Sequence, residues 1–171
     1  MNFQLVKTIQ SDFEGMCNVF DRVEEIGLYK NPFGQFSLRK VLELDIASFL
    51  MFLSASDGVI DEEEVELYQA VTGYTDSVDE IVDFIVENNI YSAEFESTIP
   101  ISMKVAVEAE RNYHKIMEMD HRYTFPGMLY NLYERIGKAL IGIDGSITAE
   151  ERRDYSVYLT NLKEYISRCG F

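Results

Sequence analysis

Apolar residues recur at spacings of three and four along most of this chain, which is the period of an α-helix. Ser37 is placed to cap a long apolar helix that ends near Asp57, and Asp61 is placed to cap the helix that follows. No Asn-Gly or Asp-Gly turn joins two runs that alternate with the period of a β-strand. The pattern therefore predicts an all-α fold, a helical bundle of six to eight helices.

The pattern also suggests bounds for other helices. Ser11 and Glu14 fit a capping box at the start of a first amphipathic helix, whereas residues 1–10 are ambiguous between a short helix and an extended arm. Thr75 or Asp76 is expected to open another helix. The apolar side chains of that helix are expected to form one core stripe: Val78, Ile81, Val82, Ile85 and Val86.

An eight-residue sequence occurs twice in the chain. The sequence DGVIDEEE from Asp57 to Glu64 aligns with DGSITAEE from Asp144 to Glu151, with five of eight positions identical. In each copy an apolar helix leads to a glycine that is suited to positive φ, and a capping box then starts the next helix. The repeat predicts a bundle built from two related helix-turn-helix halves.

The repeat partly matches a calcium-binding EF-hand loop. When Gly58 and Gly145 are placed at position six of that loop, Glu64 and Glu151 fall at position twelve, where an EF-hand carries its bidentate glutamate. Positions one and three need oxygen ligands, but here they are apolar or glycine in both copies: Leu53, Ala55, Leu140 and Gly142. Neither loop is therefore expected to hold calcium by itself.

The two copies together form a better candidate cation site than either copy alone. If the two halves face each other, six carboxylates converge, and such a group repels itself unless a cation or protons intervene. An oxygen-rich site of this kind suits Ca²⁺ or Mg²⁺ better than zinc. The alternative is that these acids only cap helices and favour the positive ends of helix dipoles. The candidate metal ligands are Asp57, Glu63, Glu64, Asp144, Glu150 and Glu151.

The paired signature Asp-Gly-x-Ile-x-x-Glu-Glu, in which each copy ends an apolar helix of an acidic chain, resembles the TerB-like domains named for tellurite-resistance protein B. The resemblance covers roughly Ser37 to Ile166. It implies a helical domain over residues 37–171, preceded by an N-terminal helical extension over residues 1–36. It also implies a non-catalytic module in bacterial stress response or defence, whose signature acids line a surface associated with divalent cations. Ala149 and the extension depart from the family pattern.

Acidic residues are concentrated in one part of the chain. The formal net charge is -15, and the stretch from Val41 to Met103, here called the acidic segment, contains fifteen Asp or Glu and no Lys or Arg. A surface of this charge repels nucleic acid and anionic lipid, and it attracts a cation or a basic protein. A solvated surface that only aids solubility is the alternative. We therefore expect a basic protein partner and no nucleic-acid partner.

The chain has no pattern typical of a membrane or exported protein. The longest apolar run, near Ile46 to Ala55, is too short to span a bilayer, and no basic-then-apolar signal sequence begins the chain. Cys17 and Cys169 have no metal-ligand spacing, which favours free thiols over a disulfide. These features predict a cytoplasmic protein without membrane insertion.

Candidates for catalysis are few. His114 and His121 are seven residues apart, with Glu110 and Glu118 each one turn from His114, a pattern that charge pairs on an exposed helix also explain. No glycine-rich phosphate loop or nucleophile elbow is present, so we predict that the chain is not an enzyme. Two functional hypotheses stay open besides an acid-base hydrolase: a cation-binding TerB-like interaction module, and a metal-independent adaptor or scaffold for a basic partner.

Overall fold

The computed structural model describes residues 3–116, 123–143, 145 and 147–171. These residues form eight helices and no strand, which confirms the all-α prediction and the predicted number of helices. In chain order the helices are α1 (Phe3–Glu25), α2 (Leu38–Ser54), α3 (Glu62–Thr72), α4 (Val78–Glu87), α5 (Ala93–Ser97), α6 (Ile101–Ile116), α7 (Phe125–Leu140) and α8 (Ala149–Arg168). Of the helices described, none is both long and apolar enough to cross a bilayer.

Helix α2 lies at the centre of the bundle. It packs against α1, α3, α4, α6, α7 and α8. As predicted, it starts at the N-cap Ser37, whose side chain accepts a hydrogen bond from Lys40 N at 3.1 Å. Its apolar residues point in nearly all directions, so a helix of this composition is stable only when other helices cover it. The rest of the chain supplies that cover.

Helix α1 begins well before the predicted start. It runs without a break through Ser11, so the prediction of a capping box at Ser11 is wrong. Val6 and Ile9 extend the apolar stripe of the later turns toward the N-terminus and are buried against the core, which outweighs the local capping signal. Glu14 accepts hydrogen bonds from Arg39 of α2 at 2.9 and 3.1 Å instead. The proposed boundary at residue 36 stays a prediction.

The two cysteines are free thiols in different surroundings. Cys17 is fully buried on α1, and Cys169 is half-buried at the end of α8. Burial raises the pKa of the Cys17 thiol to about 12, because the thiolate would lose its hydration in the core. The prediction of free thiols is confirmed for both residues.

Helix α4 lies at the edge of the bundle and is covered on one face only. Its N-cap is Ser77 rather than Thr75 or Asp76, and Ser77 and Glu80 form a capping box. Only two of its apolar residues are buried, Ile81 and Ile85, whereas Val82, Phe84 and Val86 are exposed. The single core stripe predicted for this helix is therefore wrong at Val82 and Val86, because no described helix covers that flank.

Helices α7 and α8 approach closely at a glycine. A Cβ atom added to Gly137 would lie 2.6 Å from Cε2 of Tyr155 and 3.1 Å from Cζ of Phe49. The hydroxyl of Tyr155 donates a hydrogen bond to the carbonyl of Glu134 at 3.1 Å, which fixes the ring over this glycine. Gly137 therefore sets the distance between α7 and α8 near the centre of the bundle.

Candidate functional site

The two copies of the repeat have nearly the same local backbone. Gly58 has φ of 84° and Gly145 has φ of 83°, as predicted. The residues three positions later, Asp61 and Thr148, are the N-caps of α3 and α8. The local helix, turn and capped helix are thus present twice, while superposition of two complete halves stays a prediction.

Each copy closes with a capping box around a buried glutamate. In the first, Asp61 N donates to Glu64 Oε2 at 3.1 Å and Glu64 N donates to Asp61 Oδ1 at 2.9 Å. In the second, Thr148 N donates to Glu151 Oε2 at 2.6 Å and Glu151 N donates to Thr148 Oγ1 at 3.1 Å. Glu64 is 6% exposed and Glu151 8%. Each carboxylate therefore accepts a hydrogen bond from the backbone N–H of the N-cap residue at the start of its own helix.

The two boxes lie close enough to affect each other electrostatically. The pKa of Glu64 is raised to about 8, mainly because the side chain is buried, and the negative charges of Asp61, Asp57 and Glu151 raise it further. A hydrogen bond from the backbone of Asp61 acts in the opposite direction. Glu151 belongs to the second copy, so the charge of one copy acts on Glu64 of the other, while convergence of all six acids stays a prediction.

The other candidate ligands do not complete a site. Asp57 is exposed, and its Oδ1 accepts from Val59 N across its own turn at 3.0 Å. The side chains of Glu63 and Glu150 make no hydrogen bond or ion pair with another described residue, and Asp144 lies outside the described residues. Within the part of the chain that the structure describes, no group of three Asp, Glu, His or Cys could hold a metal. The metal set stays a prediction.

Comparison with protein-family models, with curated proteins and with solved structures finds no match to this chain. The resemblance to TerB-like domains therefore depends on the repeated signature alone and stays a prediction.

Most of the acidic segment faces solvent without a positive partner. Of its fifteen acids, only Glu43 and Glu96 form ion pairs in the described residues, with Lys40 at 3.2 Å and Arg153 at 3.4 Å. Because the other acids of the segment form no ion pair there, its negative field is largely uncompensated. Eight of its acids are exposed: Asp57, Glu62, Glu66, Asp79, Glu80, Asp83, Glu87 and Glu94.

The acidic segment also forms an apolar groove between α2 and α4 that the sequence did not predict. Its volume is about 270 Å³. At the edge of the groove the hydroxyl of Tyr68 donates to the carboxylate of Asp76 at 2.8 Å. The pKa of Tyr68 is raised, mainly by burial and to a smaller extent by that hydrogen bond. The only sequence signal was the excess of apolar residues on the short helix α4. The lining residues are Leu44, Ala47, Ser48, Met51, Tyr68, Tyr74, Asp76, Glu80 and Phe84.

Glu110 and His114, two of the candidate catalytic residues, form contacts that hold the helices together. Glu110 is fully buried, and its Oε1 lies 2.9 Å from Nε2 of His114, one turn further along α6. Its Oε2 accepts from Phe125 N at 2.7 Å, at the start of α7. Glu110 therefore connects α6 to α7. His121 and Glu118 lie outside the described residues.

Proposed function

We propose that this chain is a non-catalytic protein-interaction module that binds a basic protein partner through the acidic segment. The observation that carries the proposal is the exposed, unpaired state of most acids in that segment. An acid that is paired within the chain adds little to the field outside it, whereas unpaired exposed acids of one sign combine into a field that steers a partner of the opposite sign.

The same charge argues against other macromolecular partners. Nucleic acid and anionic membranes present dense negative charge, which such a surface repels. The TerB-like assignment, with its link to bacterial stress response or defence and its placement in the cytoplasm, belongs to this proposal as the biological setting. It is supported by the repeated signature and by the matching turns at Gly58 and Gly145.

Neutralising exposed acids of α4 should weaken capture of the partner. The test variant combines Asp83→Asn and Glu87→Gln, and the matched control combines Glu150→Gln and Glu164→Gln, two exposed acids outside the segment that form no ion pair in the described residues. Tagged parent and both variants are used to capture proteins from an extract of the source cells, and association rates are then measured with the purified partner. We expect the test variant to associate at least about threefold more slowly, because long-range attraction accelerates encounter.

The salt dependence provides the second measurement. Association of the parent should slow steeply as salt rises past about 0.15 M, where screening acts over roughly 8 Å. A basic partner that both variants bind at the parental rate, or a rate that is flat with salt, would show that the segment only aids solubility.

A second candidate function is divalent-cation binding by the paired turns. The observation that favours it is the approach of Glu151 from one copy to Glu64 of the other, which raises the pKa of Glu64 together with Asp57 and Asp61. A cation at this junction would relieve that repulsion. The described residues do not by themselves form a complete ligand set, so no chemistry is assigned to a metal.

Calcium or magnesium at millimolar concentration should raise the melting temperature if this second candidate is correct. An ion that binds only the folded chain adds about 2.7 kcal/mol when its concentration is a hundred times its dissociation constant. Asp57→Asn and Asp144→Asn should each reduce the rise, and Asp61→Asn is the control because Asn caps a helix about as well as Asp. A melt that neither ion moves would leave these acids with their capping role alone.

A further inference from the structure

The groove between α2 and α4 has exposed apolar walls. Leu44 on α2 and Phe84 on α4 line its two walls, each 42% exposed, and the buried Met51 and Tyr68 form its base. Exposed apolar side chains are common singly, but here they border one concave surface. The groove therefore offers apolar area that a partner can cover.

Fixed carboxylates border the same groove. The carboxylate of Asp76 accepts from Tyr68, and its backbone carbonyl accepts from Nε2 of Gln69 at 2.9 Å. Oε2 of Glu80 accepts from both N and Oγ of Ser77, each at 2.8 Å. Because these contacts already restrict both acids, a positive partner would lose little entropy in ordering them.

One basic side chain lies at the end of this surface. Lys40, one turn before Leu44 on α2, donates to the hydroxyl of Tyr74 at 2.5 Å and to Glu43 at 3.2 Å. Its ammonium also lies 4.7 Å from the centroid of the Tyr74 ring. Its charge is thus balanced by Glu43, and the border of the groove remains negative overall.

Size and charge together select the occupant. At about 270 Å³ the groove is smaller than the roughly 300 to 1,000 Å³ typical of sites for drug-sized ligands. A second copy of this chain carries a net charge of -15, and an anionic lipid surface is also negative, so both would be repelled. An apolar stripe flanked by positive charge matches both properties of the groove.

We infer that the groove between α2 and α4 binds a basic amphipathic helix of the partner protein. Apolar side chains of that helix enter between Leu44 and Phe84, and its Lys or Arg residues meet Asp76 and Glu80. This inference rests on the proposed function and specifies the partner surface that the acidic segment recognises. It is the helix-in-groove mode, in which anchors recur at positions i, i+3 or i+4, and i+7.

The length of the groove sets the number of anchors. Leu44 and Met51 are seven residues apart on α2, which corresponds to about 10 Å along the helix axis. The opposite wall, α4, has ten residues, about 15 Å. A partner helix therefore makes two to three turns of contact, enough for about three apolar anchors.

The test uses three synthetic peptides of about 14 residues each, long enough to span the groove. The first has Leu at helical spacing and Lys elsewhere, the second keeps the Leu positions but replaces Lys with Glu, and the third has the Lys peptide's composition in scrambled order. Binding is followed by fluorescence anisotropy and by NMR of the methionine methyl groups, where Met51 is the reporter at the base of the groove. We expect only the first peptide to bind saturably and to shift the Met51 methyl signal.

Substitutions at the walls identify the surface. Leu44→Ser and Phe84→Ser change half-exposed positions, so the bundle should still fold, as melting curves would verify. Each substitution should weaken binding of the first peptide roughly fivefold to tenfold. Ile26→Ser is the matched control, because Ile26 is 56% exposed outside the groove, and it should leave affinity unchanged. Glu80→Gln keeps a capping box but should weaken binding and reduce its dependence on salt.

The outcomes separate this inference from the function on which it rests. If the scrambled Lys peptide binds as well as the ordered one and the Met51 signal stays in place, the groove is not the site, while charge-dependent binding by the acidic segment stands. Equal binding of the Lys and Glu peptides would overturn the role of Asp76 and Glu80. If no Lys peptide binds at all, the inference and the attraction to basic partners both fail.

Discussion

Replacing Glu64 with Gln is expected to stabilise the folded chain at pH 8 by on the order of 4 kcal/mol. Burial, with the nearby charges of Asp61, Asp57 and Glu151, raises the pKa of Glu64 from 4.5 to about 8. Below pH 4.5 the folded and unfolded chains both hold the proton. As pH rises from 4.5 to about 8 the unfolded chain releases it first, so the free energy of unfolding of the parent falls. Gln has no proton to lose and can still close the capping box.

Urea unfolding at half-unit steps from pH 5 to pH 8 measures this effect. The advantage of Glu64→Gln should be small at pH 5 and grow by at most about 1.4 kcal/mol per pH unit. Glu62→Gln is the control, since Glu62 lies in the same first turn but is exposed, and it should change stability by no more than about 0.5 kcal/mol at any pH. A difference between Glu64→Gln and the parent that does not vary with pH would contradict the raised pKa.

Two Gly→Ala substitutions in helix interiors should have opposite effects. At Gly137 the new methyl group would overlap the rings of Tyr155 and Phe49, and overpacking of this kind costs about 1 to 3 kcal/mol. At Gly15 in α1 no atom lies within 4 Å of the added Cβ, so the substitution should instead gain about 0.5 to 1 kcal/mol from helix propensity. Thermal unfolding resolves the two, because 1 kcal/mol corresponds to about 2 to 4 °C in a chain of this size.

A double mutant tests the cause of the loss at Gly137. Tyr155→Leu removes the ring that the new methyl group would meet, so Gly137→Ala should cost less in that background than in the parent, which a double-mutant cycle detects. Identical costs in the two backgrounds would show that Tyr155 does not limit the approach of α7 to α8.

Features encoded locally were predictable from the sequence. The helical period predicted the fold class, Ser37 and Asp61 were identified as caps, and a capping box was predicted in both copies of the repeat, because capping depends on residues within one turn. The positive φ of Gly58 and Gly145 followed in the same way from the tight turn between two helices. These features needed no knowledge of which helices touch.

Features that depend on helix packing were not predictable. Ser11 had a valid local capping signal, but the long apolar face of α1 packs on α2, α3 and α7 and carries the helix through it. Val82 and Val86 looked like core because the periodicity of a helix does not say how many neighbours cover it. The groove beside Phe84 arises from that same incomplete cover.

The candidate metal site also combines features that are local in the sequence with features that depend on helix packing. The sequence named Glu64 and Glu151 among six candidate ligands, and in the structure the charge of Glu151 contributes to the raised pKa of Glu64. Their burial, and the engagement of both carboxylates in capping boxes, depend on where α3 and α8 start. That information lies in the three-dimensional arrangement and not in the eight-residue signature.

The unequal surroundings of the two thiols allow the opening of helix α1 to be followed by the rate of thiol modification. At neutral pH a maleimide should modify the half-buried Cys169 before Cys17. The thiolate is the nucleophile, and Cys17, with its pKa of about 12, is almost entirely in the unreactive thiol form. Cys17 becomes reactive only when α1 separates from the core. The rate of the second modification therefore measures how often the N-terminal helix opens, and no cysteine has to be introduced for it.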